Sequence, residues 1–480
     1  MLLPSAAGDI LQLDTPIRLT RAPAVFQVCG GPGEHTGNAT FHVGLSRSVY
    51  AAIQNREDDE IHIRVLGGGK QGETIEWTGR IEDVYTKKGP PRSYAVLTAL
   101  FDLTESTEMM MRIMSIIIGL RRTHQLNTPK FGFSLVIWSR LPAGEGFGNT
   151  VSYMTAIAMA FKASTGLDKK RVDGVRVARA VVHGAKEVLG ENLSMADALT
   201  ASLSELHSGM FIEHGLDPTM HWAPIPEHTF VAAVDLGLEP VASPEDALAG
   251  GVGAAMGMVH LNKFLTADDQ TTFGGWGQVT TKEFEGGLRS HVPARESGKD
   301  WLAKFAEEEP EVAALVDPAR PYRQRALSEH QMRESSRVRR FVEQLSEYAR
   351  TKREDHLAEA GKVMGSSHRS LKDKCSIHSE LVKDFMDRVS GAGRNAGLFG
   401  SRLSGAGRGS VVGVLCHNAG EERLREILAE FTKEHKDKQV RPATILNDTG
   451  RGSAMVGWWE GVLIPKEDKK PKPTPKVPAE

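Results

Sequence analysis

The chain has 480 residues, 40% of them hydrophobic, enough to bury a large core and build more than one domain. Lysine plus arginine (59) nearly balance aspartate plus glutamate (61), for a formal net charge of −2. With no sustained basic stripe, that balance argues against a nucleic-acid partner. Cys29, Cys375 and Cys416 lie too far apart in sequence for a metal or disulfide framework and fit a reducing cytoplasm. The N-terminus lacks the basic start and apolar stretch of a signal peptide. No apolar run approaches the roughly 20 residues that span a bilayer, so no membrane partner is expected.

In chain order, the first hundred residues read as strands and hairpins. Residues 60–66 alternate, glycines 67–69 turn, and residues 73–77 resume the strand. A helical region follows from about Ser93 to Ile118; its methionines suit core packing. Residues 131–138 form a buried strand that runs into a glycine-rich loop, 142–149. Helices are predicted over 150–163 and 172–189. Strands near Met210, Trp222 and Phe230 mark a change of texture, taken as a second domain. Residues 283–323, charged and broken by glycine and proline, read as a surface excursion or a family-specific insertion, with long helices over 329–350 and 379–390. The lysine- and proline-rich end, 466–480, cannot pack and is expected to be disordered.

Three glycine-rich segments carry the chemistry. The first is Gly30-Gly-Pro-Gly-Glu-His-Thr-Gly-Asn38 and the second Leu141-Pro-Ala-Gly-Glu-Gly-Phe-Gly-Asn-Thr150. The third, Gly397–Ser410, feeds the apolar run Val411–Leu415. Glycines let backbone N–H groups approach a ligand closely, and successive N–H groups form a concavity that suits phosphate. Gly144, Gly146 and Gly148 open the second loop, and the helix behind it turns its N-terminus toward such a ligand.

In this order the segments resemble the GHMP kinase superfamily, on its galactokinase-like side. Gly33-Glu-His-Thr36 is similar to the galactokinase sugar signature, and 141–150 to the superfamily's central phosphate loop. Met195-Ala-Asp-Ala-Leu-Thr-Ala-Ser-Leu203 resembles the stretch with the catalytic aspartate. Arg325–Val338 and Met364-Gly-Ser-Ser-His-Arg-Ser-Leu-Lys-Asp373 continue the likeness. The resemblance implies an α/β (α+β) two-lobed fold, with a ribosomal-protein-S5-like N-terminal lobe and a ferredoxin-like C-terminal lobe. The expected domains are 1–207 and 208–465, with the tail 466–480.

It also implies roles. Asp197 would orient or accept the proton of the substrate hydroxyl. Gly144, Gly146, Gly148, Asn149 and Thr150 would hold the ATP phosphates. Glu34, His35 and Thr36, with Gly405, Ala406 and Gly407 of the third loop, would contact the sugar. Thr150 and Glu187 would bind Mg²⁺, while Ser367 and His368 would buttress the region. ATP, Mg²⁺ and a monosaccharide are the expected ligands of a cytoplasmic monomer or homodimer.

The chain also departs from the pattern. Val28 replaces the family arginine that stabilises the transferring phosphoryl group, with Arg21 nearby in sequence. Gly37 replaces the aspartate of the sugar signature, and only Thr150 keeps a hydroxyl in the second motif. Glu187 is displaced from the family's metal glutamate, and the Y-N-x-R stretch has no counterpart near 236–262. These losses point to altered substrate recognition. The expected activity is ATP-dependent phosphorylation of a sugar hydroxyl; the alternative is a non-catalytic galactokinase-like protein that binds sugar or nucleotide and regulates a partner.

Overall fold

The computed structural model describes residues 9–12, 15–31, 36–67, 73–87, 89–101, 107–126, 132–142, 146–165, 173–214, 219–446 and 457–461. The expected tail, 466–480, lies outside them. The strands are β1 (Ile17–Cys29), β2 (Ala39–Asn55), β3 (Glu60–Leu66), β4 (Ile75–Arg80), β5 (Phe133–Ser139), β6 (Ser208–Glu213), β7 (Thr219–Pro224), β8 (Thr229–Asp235), β9 (Glu296–Ser297), β10 (Pro321–Tyr322), β11 (Leu398–Leu403), β12 (Val411–His417), β13 (Thr444–Ile445) and β14 (Gly457–Gly461). The longer helices are α1 (Thr107–Arg122), α2 (Asn149–Ser164), α3 (Gly174–Gly184), α4 (Met195–Leu203), α5 (Pro244–Ala267), α6 (Gln324–Thr351), α7 (Glu354–Cys375), α8 (Glu380–Ala392) and α9 (Glu421–Glu434).

The larger sheet runs β14-β1-β2-β5-β3-β4, with β6 and β7 added beside β2. Among its pairings only β3 with β5 is parallel. Helices α1 to α4 cover one face, where Ile53, Ile63, Leu135, Met114, Ile157 and Val181 join one apolar cluster. The smaller sheet runs β11-β12-β8-β13, all antiparallel. With α5 to α8 between β8 and β11, and α9 between β12 and β13, this is the ferredoxin-like order. Apolar residues of both sheets and of α6 and α7 share a further cluster that includes Phe26, Phe41, Val231, Phe341 and Met364.

The boundary expected at 207/208 does not separate the sheets. β2 pairs with β5 only over Val49–Asn55, which leaves its first residues an open edge. β6 takes that edge through Ala39–His42, and β14 returns from the far end of the chain to pair with β1. Strands near Met210 and Trp222 therefore belong to the first sheet, and Phe230 to the second.

The charged stretch 283–323 is largely exposed, but a few buried side chains anchor it as a layer on α5. Trp276 and Trp301 are fully buried, and Phe284 and Val292 pack with Trp276 against Ala254, Met258 and Leu261 of α5. The Trp276 indole N–H donates to the Ala254 carbonyl at 2.7 Å, so its polar atom is satisfied in the core.

Candidate active site

The second glycine loop ends in a helix with an open N-terminus. Gly148, the residue before α2, sits in the left-handed region at φ 63°, and no side chain among the described residues caps the helix there. A Cβ at Gly148 would meet Val25 Cβ at 3.0 Å, so both conformation and space call for glycine. The first-turn N–H groups are left for a ligand, and the helix dipole favours an anion there. The Asn149 Oδ1 atom is buried without a hydrogen-bond partner among the described residues.

A second helix N-terminus faces the same space. The Ser194 hydroxyl accepts from the Asp197 backbone N–H at 3.0 Å, a side-chain cap that fixes the first turn of α4. Asp197 thereby stands at a fixed place, its side chain 28% exposed. The third loop closes the arrangement. The Ser404 hydroxyl lies within donating distance of the Gln27 and Gly146 carbonyls, at 3.3 and 3.4 Å, linking the third loop to β1 and the second loop. The Ala242 N–H donates to the Gly407 carbonyl at 2.8 Å, tying the loop to the start of α5.

Together these elements enclose a cleft of about 860 Å³. Gly146, Gly148, Asn149 and Thr150 line it, as do Asp197, Ser404 and Gly405. The structure thus brings together the second loop, the third loop and the expected base. Arg112, Lys186 and Arg408 supply positive charge to the lining, and Glu191 a carboxylate. Arg112 also contacts Glu108 at 2.7 Å and Glu191 at 3.4 Å. Leu248 and Leu315 add an apolar wall, the second from the layer read in sequence as surface.

Other expected residues fall elsewhere. Glu34, His35 and Gly144 lie outside the described residues. Thr36 is 3% exposed and is not part of the cleft lining; its carbonyl accepts from Trp276 N–H at 2.8 Å. Ala406 and Gly407 belong to the single turn Gly405–Gly407, of which Gly405 reaches the cleft. The Glu187 carboxylate meets Arg122 at 2.9 Å and His183 at 3.1 Å, apart from the cleft lining. The physical reason is the π-helical turn Ala185–Leu189 after α3, which changes the angular spacing of side chains. Arg21 donates to the Ser48 hydroxyl and does not line the cleft.

Ser367 and His368, expected to buttress the region, do not line the cleft. Ser367 accepts from Arg402 Nε at 2.6 Å and donates to Glu334, and Arg402 and Glu334 are both buried. Burial alone would raise the Glu334 carboxyl. Arg402, His330 and Arg337, with the Ser367 hydroxyl, outweigh it and hold the group at about 2. Burial also depresses His368, to about 4, in a field set by Arg402, Lys372 and Arg369.

Sequence reading missed Gln27, Thr40 and His214, which also line the cleft. The His214 Nε2 and Thr40 Oγ1 atoms are 2.9 Å apart. Val25 with Gln27 on β1, and Thr40 with His42 on β2, follow the two-residue period of a strand, the signal that could have found them.

Comparison with known proteins agrees with this geometry. Residues 333–434 match the family model described as GHMP kinases C terminal. The L-arabinokinase of Arabidopsis thaliana is 19% identical over 510 residues, which takes in 94% of this chain and 47% of that protein. The chain thus spans about half the length of that curated relative. Lactococcus lactis galactokinase complexed with galactose superposes with a TM-score of 0.63 at 15% identity, covering 92% of this chain and 95% of that one. The Lin0012 protein of Listeria innocua gives 0.51 at 11% identity, covering 92% and 99%. The chain thus carries a segment similar to the C-terminal domain of GHMP kinases, is similar in sequence to an L-arabinokinase, and shares its fold with a galactokinase.

Proposed function

We propose that this chain transfers the γ-phosphoryl group of ATP to a hydroxyl of a monosaccharide. One observation carries the reading: Asp197, the open N-terminus of α2 and the third loop line one cleft. The N–H groups behind Gly148 suit the nucleotide phosphates, and catalysis then rests on positioning and charge. The substrate oxygen attacks the γ-phosphorus, its O–H proton passes to Asp197, and the bond to the bridging oxygen of ADP breaks. Asp197 is the only carboxylate expected at this task that the cleft also contains. Glu34, His35 and Thr36 are proposed to help select the sugar, and Gly405, Ala406 and Gly407 to border it. Residues 1–207 and 208–465 are proposed as two functional halves that both line the cleft, with β6, β7 and β14 of the second completing the sheet of the first.

A magnesium ion fits the donors present. Mg²⁺ on a nucleotide is held by one or two protein oxygens beside the phosphates and retains several waters. Thr150 and Glu191 both line the cleft, and the orphaned Asn149 Oδ1 atom adds an acceptor beside the loop. Thr150 and Glu191 are the residues proposed to hold it, in place of Glu187. The ion would neutralise phosphate charge; Lys186, Arg112 and Arg408 add the charge that Val28 cannot. Because ATP is the phosphoryl donor, the cytoplasm is the proposed place of action, for a monomer or homodimer.

The test is ADP release from ATP and Mg²⁺ across pentoses and hexoses, L-arabinose and galactose included, for the intact chain and Asp197→Asn. Sugar-dependent turnover that the substitution lowers by roughly 10²–10⁴-fold is the expected result. No turnover with any sugar, while ATP still binds, would sink the kinase reading.

A further inference from the structure

His42 is a buried group in contact with the proposed base. Its imidazole is 1% exposed, and its Nδ1 atom lies 3.1 Å from Asp197 Oδ1. The approach lacks the alignment of a hydrogen bond, and neither ring nitrogen has another partner among the described residues. The contact follows from the fold. His42 sits on β2 between Gln27 of β1 and Met210 of β6, and α4 packs across β1 and β2 with Asp197 in its first turn.

A buried imidazole with both nitrogens idle is costly unless something uses it. The tautomer with its proton on Nε2 would turn a lone pair toward the Asp197 carboxylate. The form with a single proton on Nδ1 places a donor against the Asp197 carboxylate. Catalytic hydrogen bonds are often poorly aligned without substrate and tighten in the complex, so the present angle suits a resting state.

We propose that His42 is a positioning residue: its Nδ1–H holds one Asp197 oxygen so that the other faces the substrate hydroxyl. The inference rests on Asp197 being the base. It also fits the missing family arginine, since Val28 offers the carboxylate nothing, and its own carbonyl lies 3.4 Å from Arg402 Nη1. In this role His42 supplies orientation and does not touch the transferring group.

Two experiments test it together. His42→Leu removes the donor and keeps an apolar side chain; His42→Asn keeps an N–H near the Nδ1 position. Loss of an orienting bond must cost less than loss of the base itself, so kcat is expected to fall roughly 10–100-fold in His42→Leu. KM for ATP and sugar should hardly change, and His42→Asn should recover most of kcat. Added to Asp197→Asn, His42→Leu should cost nothing further, because the two act as one unit. A rise in KM at constant kcat, equal damage from both His42 variants, or additive effects would overturn the proposal.

The second experiment needs no turnover. In ¹⁵N-labelled ligand-free protein, the His42 ring should show the proton on Nδ1, and its Nδ1 resonance should move in Asp197→Ala. A proton on Nε2, or a resonance indifferent to residue 197, would also overturn it. A resonance that responds in a protein with no sugar-dependent turnover would keep the pair and remove the kinase reading, so the two failures are told apart.

Discussion

The Arg402 guanidinium donates through Nη2 to the Gly30 carbonyl at 2.6 Å, joining β11 to the first glycine-rich segment. The same guanidinium reaches Ser367, and Glu334 takes the Gly30 N–H at 3.2 Å and the Arg337 guanidinium at 2.9 Å. Both peptide groups of Gly30 are therefore held by one buried charge pair from the C-terminal half. Gly30 itself sits at φ 105°, with Thr40 Cγ2 only 2.7 Å from where a Cβ would stand.

Removing one partner of that pair strands the other charge in the core. Arg402→Met should destabilise the protein by roughly 3–5 kcal/mol, the usual cost of breaking a buried pair. The measurement is the urea midpoint at neutral pH. A change below about 1 kcal/mol, the range of a surface pair, would show that the network contributes little to stability.

The same cluster makes the fold acid-sensitive. Burial lowers His330 to about 4, with Arg337, Arg402 and Lys374 adding to the effect against the pull of Glu334. The unfolded chain then takes up a proton first as pH falls from about 6.5, so stability drops between there and about 4. Glu334, held at about 2, adds a second loss as pH falls from about 4.5. His330→Asn should flatten the upper window, leaving the share that belongs to His368. Denaturation midpoints at pH 7 and pH 5 check this; an unchanged difference between them would refute it.

At the loop proposed to hold the phosphates, Gly148→Ala forces a side chain into the left-handed region against Val25. The strain is about 1–2 kcal/mol for the backbone alone. Relief by shifting the loop would move the first-turn N–H groups of α2, so KM for ATP should rise more than KM for sugar. Separate titrations of the two substrates decide it.

Gly275 packs on the segment proposed to help select the sugar. A Cβ there would stand 2.5 Å from Gly37 Cα, and the neighbouring Trp276 and Gly277 N–H groups bond the Thr36 and Gly37 carbonyls at 2.8 and 3.0 Å. Gly275→Ala must push this segment aside. The expected effect is the reverse of that at Gly148: a higher KM for sugar, with ATP little changed. Equal effects on both substrates would argue against a sugar role for residues 34–36.

What the sequence disclosed follows the range of each interaction. The strand-loop-helix at 133–164 was legible because clustered glycines between an apolar run and a helical pattern are local signals. The layer around Trp276, Phe284 and Trp301 was not, since its apolar residues are sparse among charges and meet their partners on α5 and α6. Thr40 and His42 were harder to find: the strand period puts them on one face of β2, but only the pairing of β2 with β1 and β6 brings that face to Asp197. Glu187 was misplaced by a single π-helical turn, which no side-chain pattern announced.

That turn yields the sharpest contrast between neighbouring residues. Glu187 is bound up with Arg122 and His183, whereas Glu191, just past the turn, lines the cleft beside Thr150. Glu187→Gln should therefore leave kcat and the Mg²⁺ requirement intact and cost at most about 1 kcal/mol, as a surface pair does. Glu191→Gln keeps the shape of the side chain but removes its charge from the cleft, so about tenfold more Mg²⁺ should be needed for half-maximal rate, as for loss of one supporting metal contact. Its pairing with Arg112 offers a rival role, and Arg112→Gln separates the two: that variant should weaken ATP binding without raising the Mg²⁺ requirement. If Glu187→Gln instead shifts the Mg²⁺ requirement and Glu191→Gln does not, the metal belongs on the other side of the turn.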